Sequence, residues 1–331
     1  MKLLIIGGTG FLGRHLSALA LDWGHEVTLF NRGRRQHPDW RDLQQLHGDR
    51  DHDLGALRGA GLYWDLVIDT CCYRPEQAAS LSAALQGRCE HLIFISTISV
   101  YRDFALKGMD ESAPLHEIPA GEMPDDYGPL KVLCEAEYRA HWGERLCILR
   151  PGVLCGPYDH TGRLAWWVRR VQQGGPWLLP GTGQDRLQYL DVCDCAEFVL
   201  RAAEQRLGGV FNLLKPGIAL GDWVERIAAR LTPVVPIQPE WVPWPELLAA
   251  GVEPWQSYPT LLPNELVEYG GYGRISAEAA IVQGLNFRPL EETVADLANW
   301  LAEGGQGAAT GMTAEEEAAL RQRVLAAHAI P

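Results

Sequence analysis

Tyr127 and Lys131, four residues apart in the stretch YGPLK, are the pair in this sequence best suited to move a proton. The apolar pattern predicts a helix over 127–141, which puts both side chains on one face. An unperturbed phenol titrates near ~10, too high for efficient proton transfer at neutral pH. A neighbouring ammonium favours the phenolate and lowers that value. Tyr127 is therefore expected to give a proton to a carbonyl, or to take one from an alcohol. With ten tyrosines and four lysines in 331 residues, chance rarely produces this spacing.

A second chemical feature lies at the start of the chain, where LLIIGGTGFLGRHL runs four apolar residues into a cluster of glycines and out onto a helical pattern. Gly8, Gly10 and Gly13 fit G-x-G-x-x-G, and Gly7, Gly10 and Gly13 fit G-x-x-G-x-x-G. Glycines at such a strand-to-helix turn permit the sharp reversal, the approach of backbone to a pyrophosphate, and close packing of helix on strand. The helix N-terminus then offers free N–H groups to the anion. A second strand ends at Phe30. The position facing an adenosine ribose is then Asn31, followed by Arg32, Gly33, Arg34 and Arg35. After a third strand, HGDRD puts Asp49 where a carboxylate can accept from an adenine amino group.

The elements that must hold these residues alternate. KLLII, HEVTLF, DLVID, HLIFIS and LCILR read as strands, and 11–23, 76–86 and 127–141 as helices. Near-continuous apolar strands separated by helices predict a parallel sheet covered on both faces, a doubly wound α/β domain. From about residue 158 the texture becomes rich in Trp, Pro and Gly. We read 1–157 as a dinucleotide-binding domain to which 187–214 return, and 158–186 with 215–302 as a smaller, loop-rich substrate domain. The remainder, 303–331, reads as a flexible linker, GGQGAATG, and a helix opened by the capping box Thr313 and Glu316.

Taken in order, GGTGFLG, GDRD, FISTISVY, YGPLK and LRPGVLCGP resemble the extended short-chain dehydrogenase/reductases. That group holds nucleotide-sugar epimerases and dehydratases as well as dihydroflavonol- and isoflavone-type reductases. The resemblance covers about residues 1–215. It implies a Rossmann fold and a catalytic set of hydroxyl residue, Tyr and Lys, here Thr97, Tyr127 and Lys131. Thr97 is expected to hold the substrate oxygen, and Lys131 to reach the nicotinamide ribose as well. The residues read as holding the dinucleotide are Gly7, Thr9, Gly10, Phe11, Leu12, Gly13, Asn31, Arg32, Arg34, Asp49, Arg50, Lys131 and Val153.

Departures from the group's pattern bear on substrate. Ile98 and Ser99 stand where dehydratases carry an acidic pair, and Val153 and Leu154 where nucleotide-sugar enzymes tend to have an Asn. Arg186, the nearest candidate for a diphosphate-binding Arg, is one residue out of register. Trp166, Trp167 and Trp177 lie in the segment expected to line the substrate cleft, and aromatic walls suit a flat or apolar ligand. Arg163, Arg169 and Arg170 are candidates for a carboxylate or phosphate. The sequence thus reads as an NADP-dependent oxidoreductase acting on an apolar or aromatic carbonyl compound, with NAD as the alternative cofactor. A nucleotide-sugar epimerase is the alternative function, and a non-catalytic dinucleotide-binding sensor or scaffold a third.

Composition sets the outer bounds. A net charge of −13 and a pI near 5.2 oppose a nucleic-acid partner, whose binding draws on Lys and Arg. No apolar run approaches a membrane span, and the expected place is the cytoplasm. Eight scattered cysteines lack zinc-site spacing and read as buried free thiols, so no metal is expected. A small-molecule substrate is the expected partner, with a homodimer left open.

Overall fold

A computed structural model describes residues 1–34, 40, 43–59 and 61–328. The first half alternates strand and helix: β1 (Lys2–Ile6), α1 (Phe11–Asp22), β2 (Glu26–Asn31), β3 (Gln44–His47), β4 (Trp64–Asp69), α2 (Pro75–Ala84), β5 (Cys89–Ile95), α3 (Tyr127–Trp142) and β6 (Leu146–Pro151). There follow β7 (Val153–Cys155), α4 (Arg163–Gln173), β8 (Gly175–Pro180), β9 (Arg186–Leu187), β10 (Tyr189–Asp191), α5 (Val192–Gln205), β11 (Gly209–Leu213) and β12 (Ile218–Ala219). The chain closes with α6 (Leu220–Leu231), β13 (Ile237–Val242), α7 (Trp244–Ala249), β14 (Pro254–Trp255), β15 (Tyr258–Pro259), α8 (Glu278–Val282), α9 (Leu290–Ala302) and α10 (Ala314–His328).

Seven strands form one parallel sheet in the order β3-β2-β1-β4-β5-β6-β11. Successive side chains of a strand point to opposite faces, and here both faces are buried. Leu3, Ile5, Leu29, Leu66 and Ile68 pack with residues of α1 and α5. Leu4, Ile6, Phe30, Val67 and Phe94 pack with residues of α2 and α3 on the other side. This is why the strands read as unbroken apolar runs rather than alternating ones. The expected doubly wound α/β fold is the one observed.

A third core gathers α4, α6, α9 and the short strands after β7 around Trp167, Trp177, Trp223 and Trp244. Here two expectations give way. Trp167 and Trp177 are wholly buried and Trp166 is 8 % exposed, so these indoles are packing, not the walls of a cleft. The segment read as a flexible linker is docked. The Ala308 N–H donates to the His160 carbonyl at 2.9 Å, and a Cβ on Gly162 would fall 2.2 Å from the Ala308 oxygen. The α10 helix begins with the expected capping box, Thr313 and Glu316 exchanging hydrogen bonds of 2.8 and 3.2 Å. It then adds Leu320 and Val324 to the third core.

Six cysteines are buried free thiols, while Cys71 and Cys193 are half-buried. Among the described residues no helix is long and apolar enough to cross a membrane.

Candidate active site

The turn after β1 is built from its glycines. Gly7 has φ +86°, and a Cβ there would meet the Thr70 hydroxyl at 2.7 Å and the Cys71 sulfur at 2.8 Å. A Cβ on Gly13 would lie 2.4 Å from the Gly7 carbonyl oxygen, so α1 can press onto the turn only with glycine at that position. Gly10 caps α1 with no side-chain hydrogen bond, and no acid sits in the first turn. The first N–H groups of α1 are thus left for an anion.

These glycines open a cavity of about 660 Å³. Eight of the expected dinucleotide residues line it: Gly7, Thr9, Gly10, Asn31, Arg32, Arg34, Asp49 and Arg50. Arg32 and Arg34 are exposed at its rim; Arg35 lies outside the described residues. The Asn31 carboxamide is already engaged, accepting from the Gly33 N–H at 2.7 Å and donating to Gln45 at 3.3 Å. It shapes the turn that carries the two arginines. Asp49 accepts from the Asp51 N–H at 3.0 Å. Phe11 and Leu12 open α1 behind the cavity, Leu12 facing the sheet core. Val153 lies apart, in the third core.

Arg50 is not a free cation. Its guanidinium holds the wholly buried Asp69 through two hydrogen bonds of 2.8 and 3.0 Å. Asp69 also accepts from the Tyr138 hydroxyl and, at 3.0 Å, from the Cys71 N–H. Burial alone would raise the Asp69 pKa, but the Arg50 charge and these donors hold it below the usual carboxylate range. The Arg50 Nε is buried with no partner.

At the far side, α3 starts at Tyr127 because Gly128 lets it approach; a Cβ there would fall 2.1 Å from the Ser99 carbonyl oxygen. That contact sets Tyr127 beside the turn after β5, where Thr97 is its neighbour. Thr97 also caps the turn, accepting from the Ser99 N–H at 3.1 Å. One helical turn on, Lys131 is buried, and its Nζ donates to the Cys72 and Ile95 carbonyls at 2.9 and 2.8 Å. An ammonium has three donors, so one remains. A turn further, Glu135 accepts from Ser96 at 2.6 Å and from Arg150 at 2.9 and 2.7 Å, pinning α3 to the sheet.

The expected depression of the phenol does not occur here. Tyr127 keeps 47 % of its surface exposed, yet loss of water around the phenol pushes its pKa up to about 12, and the neighbouring Thr97 hydroxyl only partly opposes this. Burial also lowers the Lys131 pKa, and its charge is spent on two carbonyls instead of the phenol.

Sequence reasoning missed Tyr73, Asp69, Gly128 and Glu135. Tyr73 lines the cavity at the glycine turn and its ring centroid lies 6.3 Å from that of Tyr127, so it joins the two halves of the candidate site. The signal was present: Asp69 ends a strand of a parallel sheet and Tyr73 follows it, where such sites form.

A model of the NAD dependent epimerase/dehydratase family matches residues 3–56 and 77–213. A chloroplast stem-loop binding protein of Arabidopsis thaliana is 29% identical over 245 residues, covering 69% of this chain and 62% of that protein. A UDP-glucose 4-epimerase of Rhizobium meliloti is 24% identical over 277 residues, 69% and 82% of the two chains. A 2-alkyl-3-oxoalkanoate reductase of Stenotrophomonas maltophilia is 25% identical over 246 residues, 66% and 68%. Among solved structures, the Bordetella bronchiseptica enzyme WbmH in complex with NAD+ superposes with a TM-score of 0.68 at 17% identity, over 92% of this chain and 99% of that one. Human epimerase family protein SDR39U1 with NADPH gives 0.62 at 19% identity, over 90% and 99%.

Proposed function

Since this chain belongs to the NAD dependent epimerase/dehydratase family, of NAD(P)-dependent enzymes, we propose that it reduces the carbonyl of an apolar or aromatic small molecule, or oxidises the matching alcohol, with NADP as cofactor. The observation that carries this reading is the position of Tyr127, whose ring lies 6.3 Å from that of Tyr73 in the wall of a cavity that begins at the glycine turn.

The residues present fit a dinucleotide. Cβ atoms at Gly7 and Gly13 would collide with the Thr70–Cys71 loop and with the turn itself, so glycine is what lets backbone and helix close up here, and the α1 N-terminus lacks any capping side chain. Arg50 lines the cavity, and its buried Nε has no partner within the protein. Arg32 and Arg34 would face a ribose phosphate, and Asp49 the adenine amino group. When bound, the dinucleotide supplies or takes the hydride.

The protein's own part is the proton. Thr97 donates to the substrate oxygen and fixes it beside Tyr127, whose phenol gives up its proton as negative charge grows on that oxygen. With a pKa raised to about 12, Tyr127 is protonated throughout the neutral range and suits the reductive direction. The third donor of Lys131 would be free to hold the ribose hydroxyls and so orient the ring. Ile98 and Ser99 leave no acid–base pair for dehydration, and the relative named a 2-alkyl-3-oxoalkanoate reductase supports carbonyl reduction.

The relative named a UDP-glucose 4-epimerase supports a second reading, epimerisation of a nucleotide sugar by the same Tyr and Lys. Against it, the Arg186 guanidinium donates to the Gly217 carbonyl at 2.7 Å and lines a separate cavity of about 470 Å³. The stem-loop binding relative supports a nucleic-acid role, which the net charge of −13 opposes.

The test is Tyr127→Phe. It is expected to keep dinucleotide affinity and lower turnover by about 10²–10⁴-fold, the usual contribution of general acid–base catalysis. Wild-type reduction should hold flat through neutral pH and decline only as the pH nears the raised phenol pKa. Near-wild-type turnover in the Phe variant sinks the assignment. Interconversion of a sugar nucleotide with no net cofactor change establishes the epimerase instead.

A further inference from the structure

The α4 helix carries three arginines with different fates. Arg170 is buried, bound to Glu317 by two hydrogen bonds of 2.7 Å and to the Gly174 and Pro176 carbonyls at 2.9 and 2.7 Å. Arg169 is exposed. Arg163, the first residue of α4, is half-buried and stacks its guanidinium 5.5 Å from the centre of the Trp255 ring. Among the described residues it has no ion pair and no hydrogen bond.

A guanidinium has five donors in a planar fork. Stacking on an indole occupies its face and leaves its edge, the side that grips a carboxylate bidentately. The nearby buried carboxylate, Asp159, does not serve, because it is taken up by the Thr161 N–H and hydroxyl, both at 2.8 Å. From Trp255 a chain of contacts leads to the turn that holds Thr97: Tyr272 meets Trp255 and, at 5.6 Å, Phe104, which packs against Ile98 and Tyr101. Trp255 holds φ +68°, a left-handed conformation that bulky residues rarely adopt. Its N–H donates to the Leu261 carbonyl at 2.9 Å, and its ring meets Tyr272 edge-on at 5.9 Å. Strain at a non-glycine residue is kept where the surroundings fix it, often at ligand sites.

We propose that Arg163 binds an anionic group of the substrate, a carboxylate, while Trp255 and Tyr272 cover its apolar body, so that the compound reacting at Tyr127 is a keto or hydroxy acid. This rests on the carbonyl-reductase reading above and narrows it.

Calorimetric titration tests the idea on the NADP+-loaded protein, with benzoylformate, phenylpyruvate and 3-oxooctanoate each set beside its methyl ester. At least one acid is expected to bind about tenfold or more tighter than its ester, the size of a charge-assisted pair. Arg163→Met should erase that preference with dinucleotide affinity unchanged, which also certifies the fold, and Arg163→Lys should restore part of it. If no acid outbinds its ester, or the Met variant keeps the preference, the proposal is overturned. Binding and turnover separate the two readings. Acid binding that depends on Arg163, with no NADPH consumed, leaves this site standing and removes the reductase. Equal reduction of acid and ester removes the role of Arg163 alone.

Discussion

Beneath the cavity at the glycine turn Arg50 grips Asp69 with hydrogen bonds of 2.8 and 3.0 Å, and in the third core Arg170 grips Glu317 with two of 2.7 Å. By contact geometry the pairs are alike: bidentate, buried, and joined across distant segments. Their surroundings differ. The Arg170 donors are completed by two backbone carbonyls, so the pair is closed and serves to latch α10 onto α4. Arg50 leaves its Nε without a partner beside a cavity, and its carboxylate is shared with Tyr138 and the Cys71 N–H on the loop that walls that cavity. A buried ion pair is weak evidence of anything by itself. What points to a ligand is the part of it left unsatisfied.

The comparison is tested most severely at Asp69. Removing one partner of a buried pair strands the other charge and costs about 3–5 kcal/mol. Asp69→Ala should therefore lower stability by about that much in denaturant unfolding, and weaken dinucleotide binding as well. The sign with pH follows from the depressed pKa of Asp69. Its contribution is present in full above the ordinary carboxylate range and is lost as the pH falls through the lower folded value. The destabilisation of the variant should thus shrink in acid.

Glu317→Ala should cost less, about 2–3 kcal/mol, because Glu317 lies nearer solvent than Asp69, 11 % exposed against 0 %. Dinucleotide affinity should stay within about twofold of wild type. If this variant loses the dinucleotide too, the two pairs are not functionally distinct and the contrast fails.

The same two regions show where sequence is legible. Five of the seven sheet strands and α1, α2 and α3 lie within two residues of where periodicity puts them, because each buries an apolar stripe against its near neighbours in the chain. Thr313 and Glu316 were readable for the same reason, their bonds spanning three residues. The third core was not. Trp166 donates to the Met312 carbonyl 146 positions away, and Arg170 finds Glu317 147 away. A tryptophan-rich stretch looks the same whether it walls a cleft or fills a core, and only these remote partners decide. The candidate site falls between. The glycines, Tyr127 and Lys131 announce themselves by spacing, whereas Asp69 reads as one more strand residue until Arg50 is seen against it.

The smallest expected effect is cofactor choice, set by arginines that, unlike Arg50 and Arg170, have no carboxylate. Arg32 and Arg34 are exposed at the cavity rim and make no ion pair among the described residues. An acid at the end of β2 would bond a ribose 2′-hydroxyl and repel a 2′-phosphate; Asn31 stands there, its carboxamide turned to Gly33 and Gln45. Nothing at that position repels the phosphate, and a guanidinium can bind it with charge-assisted bonds worth about 1.5–3 kcal/mol. NADPH should bind about tenfold or more tighter than NADH. Arg32→Ala should narrow the gap by weakening NADPH alone, since the 2′-hydroxyl of NADH offers the cation no charge. Being exposed, this contact should also weaken as salt rises, in contrast to the buried Arg50 pair. Calorimetry showing equal affinities, or NADH the tighter, overturns the preference; an Arg32→Ala variant that loses both cofactors alike would show that Arg32 supports the cavity as Arg50 does.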